Sequence, residues 1–118
     1  MSFEQYGQKV IDEAKQYPLL DTNTLLASID AESAWNPNAK SPTGVKGLMQ
    51  TTNDVFIDYN KAHGTKLKRE ENGKINNDNI IKVGTWYKAK IAGMFPDDPD
   101  AQIQAYSATG PTGVKKLK

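Results

Sequence analysis

The stretch Leu25–Gln50, LLASIDAESAWNPNAKSPTGVKGLMQ, decides how this chain reads. Leu25, Leu26 and Ile29 recur at helical spacing, and Asn36-Pro37 then breaks the pattern. One acidic residue, Glu32, therefore falls in the last turn of a mostly apolar helix. There it meets desolvation by its neighbours and the negative end of the helix dipole, and both favour the protonated carboxyl. A carboxylic acid that keeps its proton near neutral pH is what a general acid needs. An arbitrary Glu at a helix end more often points into water, so the weight rests on the residues that follow.

Those residues are Ala39, Ser41, Gly44 and Gly47, and then Leu48-Met49-Gln50. A loop rich in Gly, Pro and Ser brings backbone amides close to a ligand. Its closing apolar pair and side-chain amide suit packing against, and hydrogen bonding to, a sugar. Together Glu32-Ser33, Asn36-Pro37, Ala39, Ser41, Gly44 and Gly47-Leu48-Met49-Gln50 resemble the signature of the soluble lytic transglycosylase (SLT) catalytic domain, within the lysozyme-like superfamily. So many residues at fixed offsets are far more specific than one acid. The resemblance continues through Asn79-Ile80, Gly84 and Tyr87 to Ala105-Tyr106, and covers roughly Thr22 to Val114.

The rest of the chain agrees with one small globular domain. Its 118 residues and 37% apolar content suffice for a single core without staples. We expect one domain over 1–118, with residues 1–20 as an N-terminal packing helix and 22–114 as the motif-bearing region. Cysteine is absent, so neither disulfides nor thiolate metal sites contribute.

The net charge of +1 gives no strong attraction to nucleic acid or to an anionic membrane. The basic groups Lys66, Lys68, Arg69 and Lys115, Lys116, Lys118 read as solvated surface. No stretch is long enough to span a bilayer, and MSFEQYGQKVIDEAKQY does not read as a signal peptide. The resemblance implies that the partner is the glycan strand of peptidoglycan, met by a monomer, and the charge and hydropathy add no nucleic-acid role and no stable membrane insertion. Delivery to the wall would follow cytoplasmic synthesis, by lysis, in a virion or by a secretion machine. This points to a bacteriophage wall-degrading protein, an endolysin or particle component, with a secretion or conjugation transglycosylase as the other source.

The resemblance and the spacing of apolar residues predict a mainly α, lysozyme-like domain of about five helices. Ser2–Tyr17 carries an apolar stripe, Phe3, Tyr6, Val10, Ile11, Ala14 and Tyr17. Asp21 or Thr22 caps the helix that bears Glu32. A third helix spans Thr51–Ala62, with Val55, Phe56 and Tyr59 inward and His63-Gly64 closing it. The polar residues 65–78 form a surface excursion, with Asn72-Gly73 as the turn of at most a short hairpin. Asn77 or Asp78 caps a fourth helix to about Gly93, where Gly84 allows another helix to come close. Asp98-Pro99 opens the fifth.

No cofactor is expected. His63 stands alone as a possible metal ligand and better suits a helix end. Asp21, Asn23 and Glu32 match positions 1, 3 and 12 of a calcium loop, but Leu25 and Leu26 occupy positions 5 and 6, which rejects it.

Glycosidic cleavage normally uses two carboxylates, and only Glu32 has a marked setting. Asp54 suits a first helical turn, and Asp30 points to another helix face. The resemblance implies a one-carboxylate route. Glu32 protonates the leaving oxygen of the MurNAc-β-1,4-GlcNAc bond, and the muramoyl C6 hydroxyl attacks its own anomeric carbon, giving a 1,6-anhydro end. It also implies that Tyr106 orients Glu32, that Ser33 meets substrate at the scissile bond, and that Met49 and Gln50, with Ser41 and Gly47, line the sugar subsites. The family's Ala-Tyr-Asn-Ala-Gly segment reads Ala105-Tyr106-Ser107-Ala108-Thr109-Gly110 here, which changes the Asn to Ser107. Two alternatives stay open: a muramidase that activates water with Asp54 or Asp58, and a non-catalytic wall-binding or virion component with the same fold.

Overall fold

The computed structural model describes residues 2–42 and 44–94. Within them four helices run in order: α1 (Ser2–Ala14), α2 (Thr22–Ser33), α3 (Asn53–His63) and α4 (Asn77–Met94). Between α3 and α4 lies a two-stranded antiparallel sheet, β1 (Glu70–Glu71) with β2 (Lys74–Ile75). The mainly helical class with a short hairpin at 65–78 is thus the observed one. The fifth helix expected from Asp98, with Tyr106 and Ser107, lies outside the described residues.

Local chemistry accounts for most boundaries. Val10 and Ala14 of the predicted α1 stripe are buried, and Tyr6 and Tyr17 pack against the core. Phe3 is 44% exposed yet meets the Trp35 ring edge-on at 4.8 Å. Beyond Ala14 the chain tightens into three-residue turns, Gln16 N–H to the Glu13 carbonyl and Tyr17 N–H to the Ala14 carbonyl, so the regular helix stops short of Tyr17.

Asp21 caps α2, its carboxylate accepting the Thr24 N–H at 2.9 Å. α3 begins at Asn53 and buries Val55, Phe56 and Tyr59 as expected. It ends on Gly64 at φ 66°, and His63 stacks on Tyr59 at 4.0 Å between ring centroids. In the hairpin, Asn72 (φ 53°) and Gly73 (φ 77°) both adopt the left-handed conformation that a tight two-residue turn needs. A single bridge pair, Lys40 with Lys46, lies outside the expected window for strand.

One cap differs from expectation. Asn76, rather than Asn77 or Asp78, accepts the Asn79 N–H at 3.0 Å ahead of α4. Asn77 is left for a tertiary task described below. α4 packs against both α1 and α3, and α1 packs against α2. The shared core includes Leu25, Ile29, Leu48, Ile80 and Val83, each with essentially no exposed surface.

Candidate active site

Glu32 sits in the last turn of α2, which ends abruptly. Ala34 (φ 51°) and Trp35 (φ 61°) both enter the left-handed region, and the Ala34 N–H bonds back to the Asp30 carbonyl at 2.8 Å. Two consecutive non-glycine residues in that region are costly. Burial of Trp35 beside Phe3 supplies compensating contact. The chain then reverses into the 36–50 loop, which the Ser33 hydroxyl ties back to α2 through the Leu48 carbonyl.

The loop lies along one face of α4. Asn77 Oδ1 accepts the Leu48 N–H at 2.8 Å, and its Nδ2 donates to the Pro37 carbonyl at 2.9 Å. Gly47 has φ 102°, and a Cβ there would stand 2.3 Å from Ile80 Cδ1. One turn on, a Cβ on Gly84 would stand 2.8 Å from Thr51 Oγ1 and 3.1 Å from Met49 Sδ. Among the described residues Gly84 therefore admits the loop where the sequence suggests another helix. Thr85 Oγ1 lies 3.9 Å from Met49 Sδ.

The next turn of the same face carries Lys88. Its Nζ donates to Glu32 Oε1 at 2.9 Å, and the two side chains are only 4% and 5% exposed. Burial pushes the Glu32 carboxyl above the usual carboxylate range, against the pull of the Lys88 charge and hydrogen bond. Burial likewise pulls the Lys88 amine below the usual lysine range, with Glu32 opposing. The desolvation foreseen for Glu32 is therefore present, but its lysine partner was not foreseen.

The other expected site residues mostly shape the loop. Ser33 Oγ lies within reach of the Ile29 and Leu48 carbonyls. Ser41 Oγ accepts the Val45 N–H at 3.0 Å in the turn that the Lys40–Lys46 bridge closes. Met49 is 1% exposed, turned inward against Gly84 and Thr85 rather than out towards solvent. Gln50 (φ 49°) donates from Nε2 to the Gly47 carbonyl at 2.9 Å. Tyr106 lies outside the described residues.

No second acid joins Glu32 among the described residues. Asp30, Asp54 and Asp58 are exposed. Nor does any described group of three or more His, Asp and Glu side chains gather as a metal site would require.

Lys88 was legible in principle. Ile80, Gly84, Lys88 and Ile91 fall at four-, four- and three-residue steps, which puts the lysine on the buried stripe of α4. Lysine as a residue type usually marks surface, so the position alone does not single it out.

Comparison with known proteins agrees with this geometry. The transglycosylase SLT domain model matches residues 9–118. Membrane-bound lytic murein transglycosylase F of Shewanella woodyi is 38% identical over 84 residues, which is 70% of this chain and 15% of that protein. Its namesake in Shewanella pealeana is 43% identical over 102 residues, 86% of this chain and 17% of that protein. That of Shewanella sediminis is 58% identical over 78 residues, 66% of this chain and 14% of that protein. The chain thus spans less than a fifth of the length of these relatives. No solved structure gives a significant match. With the family model covering nearly the whole sequence, the chain belongs to the transglycosylase SLT domain family.

Proposed function

We propose that this chain is a peptidoglycan lytic transglycosylase acting on the bacterial cell wall, with Glu32 as its single general acid and base. The observation that carries the reading is the buried Glu32 carboxyl, raised towards its protonated form, with no second carboxylate beside it among the described residues. Glu32 would donate its proton to the leaving glycosidic oxygen and then, as carboxylate, accept the proton of the muramoyl C6 hydroxyl. A hydroxyl held within the substrate can replace an activated water at an effective molarity of about 10⁵ M or more. The names of the murein transglycosylase relatives support the substrate class.

In this reading Tyr106 orients Glu32. Ser33, Ser41, Gly47, Met49 and Gln50 act on the sugar chiefly by fixing the loop that faces it. The muramidase alternative requires an acid near Glu32, and the exposed positions of Asp54 and Asp58 on α3 do not favour it.

The deciding experiment is mass spectrometry of muropeptides released from purified sacculi, with 1,6-anhydro-muramoyl ends expected as the main product. Glu32→Gln should lower the rate by at least about 10²–10⁴-fold. Reducing-end muramic acid as the main product would overturn the transglycosylase reading, and wild-type turnover by a folded Glu32→Gln variant would overturn the role of Glu32.

A further inference from the structure

Lys88 has no part in the proton transfers assigned to Glu32, yet it is built into the same spot. It is buried on α4, 56 residues away in sequence, with Nζ 2.9 Å from Glu32 Oε1. Burying an ammonium is costly, and a structural requirement at this position would be met by an apolar side chain of similar length. The amine starts about six pH units above a carboxyl in proton affinity. Burial narrows that gap from both sides, and the Glu32 carboxyl 2.9 Å from Nζ works against it by favouring the ammonium.

The surrounding charges leave this pairing dominant among the described residues. On α4 itself, Lys82 and Lys90 are exposed. On α2, Asp30 is exposed, as are Asp54 and Asp58 on α3, where Asp58 acts on Tyr87. From α1, Glu13 acts on Tyr17 and Tyr59. In the loop, Lys46 is engaged by Glu70 at 2.8 Å.

We infer that Lys88 is a positioning residue for Glu32: its hydrogen bond fixes the direction of the carboxyl, and its charge fixes the pH above which cleavage fails. The inference rests on Glu32 being the general acid. An acid of this kind works only while protonated, so the rate falls as pH rises through its titration. A cation in contact brings that titration to lower pH, and it also stabilises the carboxylate that must later accept the C6 hydroxyl proton.

The test is the pH dependence of the initial rate on purified sacculi for the wild-type chain, Lys88→Met and Lys88→Arg. Lys88→Met should move the alkaline limb up by about one to three pH units. Lys88→Arg, which keeps the charge, should hold it at or below the wild-type position. A purely structural role would scale the rate at every pH and leave the limb in place.

A Lys88→Met limb at or below wild type, or a Lys88→Arg limb moved upward, overturns the inference. Should Lys88→Met fail to fold, Lys88→Gln is the neutral variant read by the same criterion. The double variant Glu32→Gln with Lys88→Met separates the two levels of the argument. If it is active, the assignment of Glu32 fails; if it is inactive while the Lys88→Met limb is unshifted, the inference about Lys88 fails alone.

Discussion

Asn77 holds Leu48 from the first turn of α4, its Oδ1 accepting the Leu48 N–H at 2.8 Å. The same amide donates to the Pro37 carbonyl at 2.9 Å, so one side chain closes both ends of the motif loop. Asn77→Ala would leave two loop groups without these partners, at a cost of about 1–3 kcal/mol for each one that stays buried. Urea unfolding should show that loss, accompanied by a fall in activity through loop displacement. A midpoint within error of wild type would mean that the loop holds its shape without α4.

The glycines of α4 should respond in opposite directions to the same substitution. Gly84→Ala drives a methyl against Thr51 and Met49, an overpacking cost of about 1–3 kcal/mol, against a helix-propensity gain of about 1 kcal/mol. Gly93→Ala meets open space and should collect the propensity gain alone, reduced by its place near the helix end. Thermal melts should therefore rank Gly93→Ala above wild type and Gly84→Ala below it. Equal shifts would show that Met49 and Thr51 can give way.

Glu32→Gln should be less stable than wild type, not merely less active. Removing one member of a buried pair takes that counter-charge from the other, typically at about 3–5 kcal/mol, whereas replacing both is close to neutral. Adding Lys88→Met to Glu32→Gln should therefore restore most of the lost melting temperature. The single variant also has a signed pH dependence. Burial lowers the folded-state affinity of Lys88 for its proton, so its contribution is favourable above the ordinary lysine range and is lost as pH falls through the folded value. Glu32→Gln should accordingly gain stability relative to wild type as pH rises from neutral towards 10, the region of the ordinary lysine value. A flat difference between the two proteins would count against a charged, buried Lys88.

Asp54→Asn and Asp58→Asn should each retain most activity and leave the 1,6-anhydro product unchanged, because both carboxylates face solvent on α3. Rate assays with product analysis by mass spectrometry check this. Loss of activity in either variant, with a reducing-end product from wild type, would favour a water-activating acid.

The sequence disclosed these features unevenly, and the differences have physical causes. Asp21 as a cap, the inward Val55-Phe56-Tyr59 face and the Asn72-Gly73 turn are local, set by residues within one or two turns, and each is observed. The desolvation of Glu32 was also legible, because the apolar helix around it is local. What was hidden is long-range. Asn77 looked like a cap because its side chain suits one, but its partners are 29 and 40 residues away. Met49 and Gln50 are expected from the resemblance to line the sugar subsites; their own packing, Met49 inward and the Gln50 amide onto the Gly47 carbonyl, depends on the folded loop and could not be read from the motif. Lys88 combined both difficulties, a buried-stripe position with a residue type that usually marks surface.

The exposed Asn72-Gly73 turn separates the two sides of the long-range ties that α4 makes with the first two helices and the motif loop. Glu32 with Lys88, Leu48 and Pro37 with Asn77, and Lys9 with Asp78 all have one member before the turn and one after it. A chain cut between Asn72 and Gly73 would yield two pieces, neither holding both Glu32 and Lys88, and would interrupt only the turn between two two-residue strands. Such pieces are suited to fragment complementation. Mixed together, they would regain wall-cleaving activity through docking of α4, with a concentration dependence that reports how tightly that helix grips the rest.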